Sequence, residues 1–443
     1  MAAQNERRVK REQLLLELTA APTAAGREGR VVAFLERWVA DRPGLELSKD
    51  ATGNLWIGAE RERRAGAAGG GLIVFEAHLD HPAFVVDEVV SEREARASFR
   101  GGVRAAYFEG ARVVLHGDGD GSVGGRVGGR VVSSEPADEK AGRLFRVARI
   151  EFEEAAGARV GDVLTWDLPS SVIEDGFLRA PVCDDLAAAT AALCALEELC
   201  ASEDREAGDG AHEHPDVRVL LTRAEEVGFV GAIAACRNGT IPPGARVLAL
   251  ENSRSFADSP LGAGPIVRVG DRLSVFSPAL TAAVAKIAQR LAGEEEKEVG
   301  SAGDGKKTGE TPVPPGSSKT GETMTDTTCT GQRPAPPFRW QRKLMPGGAC
   351  EATAFCAFGH EATCVCLPLR NYHNMGRLDE VEAAEKAGSW EGSAPIEPET
   401  ISVADFHNLV ELLVACGRGL GGVEPMTVRL EKMYAQRRFV LDG

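Results

Sequence analysis

The sequence has no apolar run long enough to span a membrane, and its first residues, MAAQNERRVKREQLLLELTAA, lack the apolar core of a signal peptide. It also lacks the basic surplus of proteins that bind nucleic acids or anionic membranes. Its formal net charge is -15, so such partners would repel it. We therefore expect a cytoplasmic protein with no nucleic-acid partner and no membrane partner.

No two of the ten cysteines form a Cys-x-x-Cys pair, which disfavours a structural zinc knuckle. The chain has no Gly-x-Ser-x-Gly nucleophile elbow and no Walker loop, so its motifs support neither serine-hydrolase nor nucleotide chemistry. A cysteine nucleophile pairing Cys183 with His78 is conceivable, but it leaves the acidic residues described below without a role. We expect reduced thiols, most of them buried.

Apolar residues are plentiful, at 43% of the 443 residues, which is enough for two to three domains. The run Leu72–Phe75 is typical of a central strand covered on both faces, and helical periodicity covers residues 8–40. Between Phe84 and Phe177 the pattern changes to short alternating strands separated by glycine-rich turns. This texture predicts a small β-barrel or sandwich inserted into an α/β domain.

The domain boundaries follow from these changes of pattern. We predict a main α/β domain from residues 1–85 and 177–443, with an inserted β domain at 86–176. Residues 292–337 are rich in charge and proline and repeat the sequence Lys-Thr-Gly-Glu-Thr. This composition cannot bury enough apolar surface to order itself, so we predict a disordered insertion in a surface loop.

Acidic residues and histidines follow several predicted strands, where parallel α/β sheets bind their ligands. These residues are His78, Asp80, Asp184, Asp185, Glu225, Glu226, Glu251 and His373. Oxygen and nitrogen donors without thiolate suit zinc, cobalt or manganese at a hydrolytic site. His78 offers a neutral imidazole whose second nitrogen Asp80 could hold, and Glu251 and His373 offer terminal ligands.

Two adjacent pairs of acids carry the chemistry that this set of residues suggests. Asp184 or Asp185 could bridge two cations, because one carboxylate can give an oxygen to each. Two ions sharing a water lower its pKa and polarise a carbonyl. Of Glu225 and Glu226, expected at a strand end, one could be a ligand and the other the general base that moves the proton.

The remaining histidines have a weaker claim on this chemistry. His81 directly follows the His-x-Asp motif and could face the site. The others lack clustered partners or lie in an acidic loop, and we interpret them as structural or solvated: His116, His212, His214, His360 and His407.

Six motifs carry a resemblance to a known family. They are AHLDHPAFVV, APVCDDLAAA, RAEEVGFVGA, LALENS, MPGGACEATAF and LRNYHN. They occur in the order seen in tetrahedral aminopeptidases and the related glutamyl aminopeptidases, and the resemblance covers nearly the whole chain except 292–337. That family consists of dinuclear metallopeptidases of the zinc-exopeptidase superfamily. It implies an α/β fold, a mixed sheet flanked by helices, with an inserted small β-barrel of the dimerisation type.

The resemblance also implies roles for individual residues. The metal ligands would be His78, Asp184, Glu226, Glu251 and His373. Asp184 would bridge the two ions, Glu225 would be the general base, and Asp80 would be the partner of His78. The cofactors would be two divalent metal ions, zinc first, with cobalt or manganese as alternatives.

The expected function is metal-dependent hydrolysis of peptide or amide bonds, as an aminopeptidase acting on short peptides. The resemblance further implies a homo-oligomer, either a dimer or a larger assembly such as a dodecamer. One alternative is a deacylase or carboxypeptidase of the same superfamily, which blocked substrates would distinguish. Another is a catalytically silent scaffold protein, which the metal content of the purified protein would reveal.

Overall fold

The computed structural model describes residues 2–59, 71–117, 126–206, 216–294, 337–420 and 426–441. The segment predicted to be a disordered insertion, 292–337, falls almost wholly outside these described residues. All statements below concern the described part of the chain.

Seventeen strands and nine α-helices make up this described part. The strands are β1 (Leu45–Lys49), β2 (Leu55–Ala59), β3 (Ile73–His78), β4 (Ala83–Ser91), β5 (Glu94–Arg100), β6 (Arg112–His116), β7 (Val127–Glu135), β8 (Arg146–Phe152), β9 (Val163–Trp166), β10 (Val172–Glu174), β11 (Phe177–Ala180), β12 (Val217–Thr222), β13 (Arg246–Arg254), β14 (Ile266–Gly270), β15 (Gln341–Leu344), β16 (Glu361–Leu369) and β17 (Glu399–Ser402). The helices are α1 (Ala2–Thr19), α2 (Gly29–Ala40), α3 (Leu186–Glu206), α4 (Val230–Asn238), α5 (Pro278–Leu291), α6 (Glu351–Ala357), α7 (Leu378–Lys386), α8 (Val403–Gly419) and α9 (Met426–Arg437).

The main sheet has eight strands in the order β1-β2-β12-β3-β13-β16-β14-β15. Its centre, β12-β3-β13-β16, is parallel, and antiparallel pairs extend it on both sides. All six residues of β3 are buried, as the apolar run Leu72–Phe75 predicted. A parallel centre brings the carboxyl ends of β12, β3, β13 and β16 to one edge, which is where such sheets bind ligands.

Helices cover both faces of this sheet. One face packs against α1, α2, α3, α5 and α8 in the largest apolar cluster of the described residues, and the other face packs against α4 and α6. The alanine-rich helix α3 is buried along most of its length because it lies between the sheet and its neighbours α1 and α8. Small alanine side chains permit that close approach.

Six strands close into a barrel in the order β4-β5-β8-β7-β6-β9. The chain enters the barrel at Ala83, shortly after β3 ends, and leaves it at Trp166. Aromatic residues are only 5% of the sequence, yet four of them meet in the barrel core with ring centroids 4.8–5.9 Å apart. These are Phe84, Phe99, Phe108 and Trp166. Such edge-to-face packing gives a small barrel a core of its own.

A third sheet has three strands in the order β10-β11-β17. Residues 375–398, which include α7, pack against the barrel residue Tyr107. Tyr107 of the barrel donates its hydroxyl to the carbonyl of Gly376 at 2.7 Å. Arg104 pairs with Glu385 of α7. The barrel is therefore tied to the segment that precedes β17.

The predicted fold class is confirmed: a mixed sheet flanked by helices accompanies a closed six-stranded barrel. The domain boundaries at residues 86 and 176 stay a prediction. The structure also contains α9, which the sequence analysis does not predict. Most of the side chains described in α9 are exposed, so no buried stripe marked it in the sequence. Among the described residues, no helix combines the length and apolarity needed to cross a bilayer.

Candidate metal centre

Two of the predicted ligands lie on neighbouring parallel strands of the main sheet. His78 is the last residue of β3, and Glu251 lies in β13, which pairs with β3. Both side chains are buried, with 2% of His78 and 7% of Glu251 exposed. The ladder between β3 and β13 ends at the pair Glu76 and Ala249, two positions before these residues, and brings the two strand ends side by side.

The other predicted ligands lie in connections between elements. Asp184 precedes α3, and the peptide bond between Asp184 and Asp185 is cis. Glu226 lies in a 3-10 turn, Glu225–Val227, which starts three residues after β12 ends. The expectation that the two glutamates lie at a strand end is therefore wrong. His373 lies in a second 3-10 turn after β16.

Asp184 stands between the two histidines. Its Oδ1 lies 3.3 Å from Nε2 of His78, and its Oδ2 lies 3.5 Å from Nε2 of His373. On the first side, Oε1 of Glu251 is 3.7 Å from Nε2 of His78. On the second side, Oε1 of Glu226 is 3.2 Å from Nε2 of His373. Each oxygen of Asp184 thus faces one histidine and one further carboxylate.

Both histidines turn an unprotonated nitrogen toward this centre in their neutral form. Nδ1 of His78 lies 3.1 Å from the main-chain oxygen of Asp80, and Nδ1 of His373 lies 2.8 Å from the main-chain oxygen of Gly102. A carbonyl only accepts, so each Nδ1 must donate, and each Nε2 then carries a lone pair. Gly102 belongs to the loop after β5, so the barrel helps to orient His373.

The placement of Asp80 differs from the sequence expectation. Its main-chain oxygen is nearer to Nδ1 of His78 than its carboxylate, which lies 3.7 Å away. Its two carboxylate oxygens accept instead from the main-chain N–H groups of Glu225 and Glu226, at 2.9 and 3.1 Å. Asp80 therefore holds the turn that carries the two glutamates.

The charges of the centre are out of balance without a cation. Burial raises the pKa of Glu225 well above its usual range, and the carboxylates of Glu226 and Glu251 raise it further. Burial and Asp184 raise the pKa of Glu251 to about 7. Burial alone would lower the pKa of His78, but Glu225 and the other neighbouring acids raise it well above its ordinary value. Protons fill these positions when nothing else supplies positive charge.

The donor set fits divalent cations. Buried carboxylate oxygens of Asp184, Asp185 and Glu226 make no hydrogen bond within the described part of the chain. Those of Asp184 and Glu226 face the histidines His78 and His373. Three sets of residues each bring three donor atoms within 4.8 Å of one another. They are His78, Asp184 and Glu226; His78, Glu225 and Glu251; and Asp184, Asp185 and Glu251. Unpaired carboxylate oxygens facing histidine lone pairs repel each other unless a cation lies between them.

Several residues that support the centre were missed by the sequence analysis. Glu28 accepts from the main-chain N–H of Ala224 and pairs with Arg223, so it holds the start of the glutamate turn. Glu399 contacts two ligand-bearing loops at once. Neither glutamate has a motif around it in the sequence, because its partners are main-chain atoms of distant segments.

Of the described histidines outside the ligand set, His81 contacts the centre, whereas His116 and His407 bond to residues elsewhere. Nδ1 of His81 faces the main-chain oxygen of Asp184 at 2.6 Å, and Nε2 faces Oδ1 of Asn374 at 3.0 Å, so His81 borders the centre. His116 and His407 bond to Thr165 and Glu12, away from it. Burial lowers the pKa of His360. His212 and His214 lie outside the described residues.

The alternative of a cysteine nucleophile finds no support in the geometry. Burial raises the pKa of the Cys183 thiol well above its ordinary value, and the nearby Glu399 and Asp184 raise it further. A reactive cysteine needs the opposite, a positive environment that favours the thiolate. The nine cysteines in the described part of the chain are all free thiols.

A sequence model of M42 glutamyl aminopeptidases matches residues 59–303, more than half of the chain. The chain belongs to the M42 glutamyl aminopeptidase family. The resemblance seen in the six motifs is thereby confirmed. No curated protein matches the chain.

Solved structures show the same fold across almost the whole chain. An aminopeptidase from the archaeon Desulfurococcus kamchatkensis is 18% identical with a TM-score of 0.63, and the alignment covers 93% of this chain and 95% of the other. A TET aminopeptidase from a marine-sediment Thaumarchaeota archaeon is 19% identical, with a TM-score of 0.62 and coverage of 93% and 97%. The Pyrococcus horikoshii TET1 peptidase, which can assemble into a tetrahedron or a large octahedral shell, is 18% identical, with a TM-score of 0.61 and coverage of 92% and 99%.

Family membership makes the chain a peptidase. The M42 family is metal-dependent, and the histidines and acids at the edge of the main sheet are candidate metal-binding groups.

Proposed function

We propose that this M42 peptidase is an aminopeptidase that removes amino-terminal residues from short peptides with two divalent metal ions. The ligands in this proposal are His78, Asp184, Glu226, Glu251 and His373. One observation carries it: the two oxygens of Asp184 face two different histidines, each of which presents its Nε2. A carboxylate in that position can give one oxygen to each of two cations.

Bound divalent ions would supply Lewis acidity, which polarises the scissile carbonyl and acidifies a nearby water. Zinc suits this mixture of nitrogen and oxygen donors, with cobalt or manganese as alternatives. The histidines hold their positions through the main-chain oxygens of Asp80 and Gly102, so both rings are oriented before any ion binds. Pre-set ligands cost less to order on binding.

Glu225 is proposed as the general base. Its Oε2 lies 3.9 Å from Nε2 of His78, farther than the oxygens of Asp184 and Glu251. Its side chain is 10% exposed, the same fraction as that of the proposed ligand Glu251, so the longer distance from His78 is what supports its role as the base. Glu225 takes a proton from the water while the oxygen of that water bonds to the carbonyl carbon of the substrate. It then gives that proton to the amine as the carbon–nitrogen bond breaks.

A substrate panel with metal replacement tests the proposal. The purified protein, stripped with a chelator, should regain activity on aminoacyl anilides when zinc, cobalt or manganese is returned. The matching N-acetylated anilides should remain uncleaved, because an aminopeptidase needs the free amine. Release of the acyl group from N-acylated amino acids, with free-amine anilides untouched, would instead indicate a deacylase. Release of the last residue from peptides with a free carboxyl group would indicate a carboxypeptidase. A protein that binds no metal and cleaves nothing would be a silent scaffold.

We also propose that the protein is a homo-oligomer that self-associates through its barrel, as a dimer or a larger assembly such as a dodecamer. Val89, Val90, Leu144 and Val160 expose 40–70% of their surface on this module. An interface that covered these side chains would remove apolar surface from water, and that burial would favour association. Solution scattering that finds a monomer at micromolar concentration would contradict this. The free thiols fit the cytoplasm, which we propose as the compartment.

A further inference from the structure

Glu399 is a buried acid that the proposed mechanism does not use. It begins β17, where it pairs with Ala180 at the end of β11, and none of its surface is exposed. A carboxylate that is fully buried needs partners for both oxygens, because leaving them unpaired is costly. The identity of those partners indicates what this residue does.

The carboxylate of Glu399 accepts three main-chain hydrogen bonds from two separate loops. Oε2 accepts from the N–H groups of Cys183 and Asp184, at 2.7 and 2.9 Å. Oε1 accepts from the N–H of His373 at 2.8 Å. One side chain therefore holds the loop that ends in Asp184 and the turn that carries His373.

We propose that Glu399 is a positioning residue that sets the separation of Asp184 and His373, and through it the affinity of the centre for metal. The inference rests on the proposed function, in which these two residues hold the ions. The distance of 3.5 Å between Oδ2 of Asp184 and Nε2 of His373 joins the two loops that Glu399 clamps.

The hydrogen-bond inventory separates Glu399 from the ligands. Buried oxygens of Asp184 and Glu226 lack a hydrogen-bond partner within the described part of the chain, whereas both oxygens of Glu399 are occupied. Hydrogen bonds from N–H groups to an ionised acceptor are stronger than neutral ones. Three of the roughly four acceptor positions of the Glu399 carboxylate are therefore used by main-chain N–H groups, so its role is to hold the main chain.

The backbone of His373 needs such a fixture. Its φ is 55°, and that of the following Asn374 is 61°, both in the left-handed region that side chains other than glycine rarely adopt. The N–H bond to Glu399, together with Nδ1 of His373 donating to Gly102, holds this unfavourable conformation. Without the clamp we expect the turn to relax and carry its imidazole away from Asp184.

The first test measures zinc binding to the full-length Glu399→Gln protein, by competition with a chromophoric chelator. Glutamine keeps the volume but replaces one acceptor oxygen with an NH2 group. That NH2 group would face the main-chain N–H of one of the two loops, where two donors cannot form a hydrogen bond. We expect at least one of two zinc equivalents to bind roughly 10–100-fold more weakly, as for other partners that orient metal ligands.

Asp405→Asn is the matched control. Asp405 is equally buried and also accepts two main-chain hydrogen bonds, from Gly262 at 2.7 Å and Gly264 at 2.8 Å, but it contacts no candidate ligand. Its loss should lower the denaturation midpoint and leave both zinc affinities at the wild-type level. A purely structural role for Glu399 would give the same pattern, so wild-type zinc affinities in Glu399→Gln would overturn the inference.

A second variant, Glu399→Asp, and the metal content of the wild-type protein complete the test. If Glu399→Gln does not fold, Glu399→Asp keeps the charge on a side chain one methylene shorter, which can reach only one of the two loops. Weaker zinc binding by that variant supports the inference, and unchanged binding overturns it. If the wild-type protein itself binds no zinc, cobalt or manganese, the proposed function fails, and the inference fails with it for a visibly different reason.

Discussion

The two halves of the candidate metal centre are built in different ways. His78 and Glu251 lie in adjacent parallel strands, two positions beyond the last pair of the main-chain ladder between β3 and β13, Glu76 with Ala249. Asp184, Glu226 and His373 lie in connections, where no ladder holds them. Buried acids that are not proposed ligands hold these connections through main-chain N–H groups. The sheet edge alone therefore accounts for the strand-borne half only.

The loop-borne half carries more backbone strain. Ala224, just before the glutamate turn, has a φ of 56°, and Phe229, just after it, has a φ of 59°. The turn of His373 has the same left-handed character. Each such residue costs on the order of 1–3 kcal/mol unless its surroundings compensate. Asp80 and Glu28 supply compensation by accepting from the N–H groups of this turn.

The largest effect is expected at the residue that joins the two halves. In Asp184→Asn the side chain keeps its shape but loses the charge that would hold two cations close. Its Oδ1 faces strand-borne His78 and its Oδ2 faces loop-borne His373, so both ions should be lost together. Metal content measured by inductively coupled plasma mass spectrometry should fall from two equivalents to none, with activity abolished.

Asp185→Asn is the neighbouring control for that experiment. Oδ2 of Asp185 accepts from the main-chain N–H of His78 at 3.3 Å, so this acid supports the strand-borne half without standing between the histidines. We expect it to keep more metal than Asp184→Asn does. Two full equivalents in Asp184→Asn, combined with loss in Asp185→Asn, would transfer the bridging role to Asp185.

The strand-borne half could be predicted from sequence because a local pattern encodes it. The apolar run Leu72–Phe75 marks a buried strand, and His78 follows at its carboxyl end. The run Val247–Leu250 does the same for Glu251. The short strands predicted between Phe84 and Phe177 have local patterns of the same kind, and the barrel strand Val163–Trp166 is one of them. The pattern of apolar residues within a single segment is enough to predict each of these strands.

The loop-borne half resists such a reading because its contacts join distant segments. Glu399 meets Asp184, which lies 215 residues earlier in the chain, and nothing in the sequence around either residue marks the contact. The Asp80 carboxylate was expected on His78, but it accepts from N–H groups of the glutamate turn. Main-chain donors are the same in every residue type, so no motif identifies them.

The second largest effect should separate Glu225 from Glu226, which are adjacent in one turn. Glu225→Gln removes the proposed proton acceptor while leaving the five proposed ligands in place. It should bind two equivalents of metal yet lose about 10²–10⁴-fold in kcat, the usual contribution of general-base catalysis. Glu226→Gln should instead lose the ion on the His373 side, because Oε1 of Glu226 lies 3.2 Å from Nε2 of that histidine.

Metal rescue distinguishes the two variants. Excess zinc should restore part of the activity of Glu226→Gln, whose defect is occupancy, and none of the activity of Glu225→Gln, whose defect is proton transfer. Rescue of Glu225→Gln alone, with Glu226→Gln fully loaded and inactive, would exchange the two roles. Glu225 would then be the ligand of the loop-borne half, and Glu226 the general base.

The smallest effect is expected when residues 295–336, the inner part of the predicted insertion 292–337, are replaced by a short Gly/Ser linker, because this range contains none of the proposed ligands. This segment joins α5 to the edge strand β15, and its flanks already meet, because Nε1 of Trp340 donates to Oε1 of Glu294 at 3.3 Å. Closing a shorter loop between neighbouring points changes the free energy of unfolding little, by about 1–2 kcal/mol. Chemical denaturation should show that small shift, with metal content and kcat unchanged. Insoluble protein would show that the segment packs on the fold, and a well-folded, metal-loaded but inactive variant would show that it contributes to the substrate site.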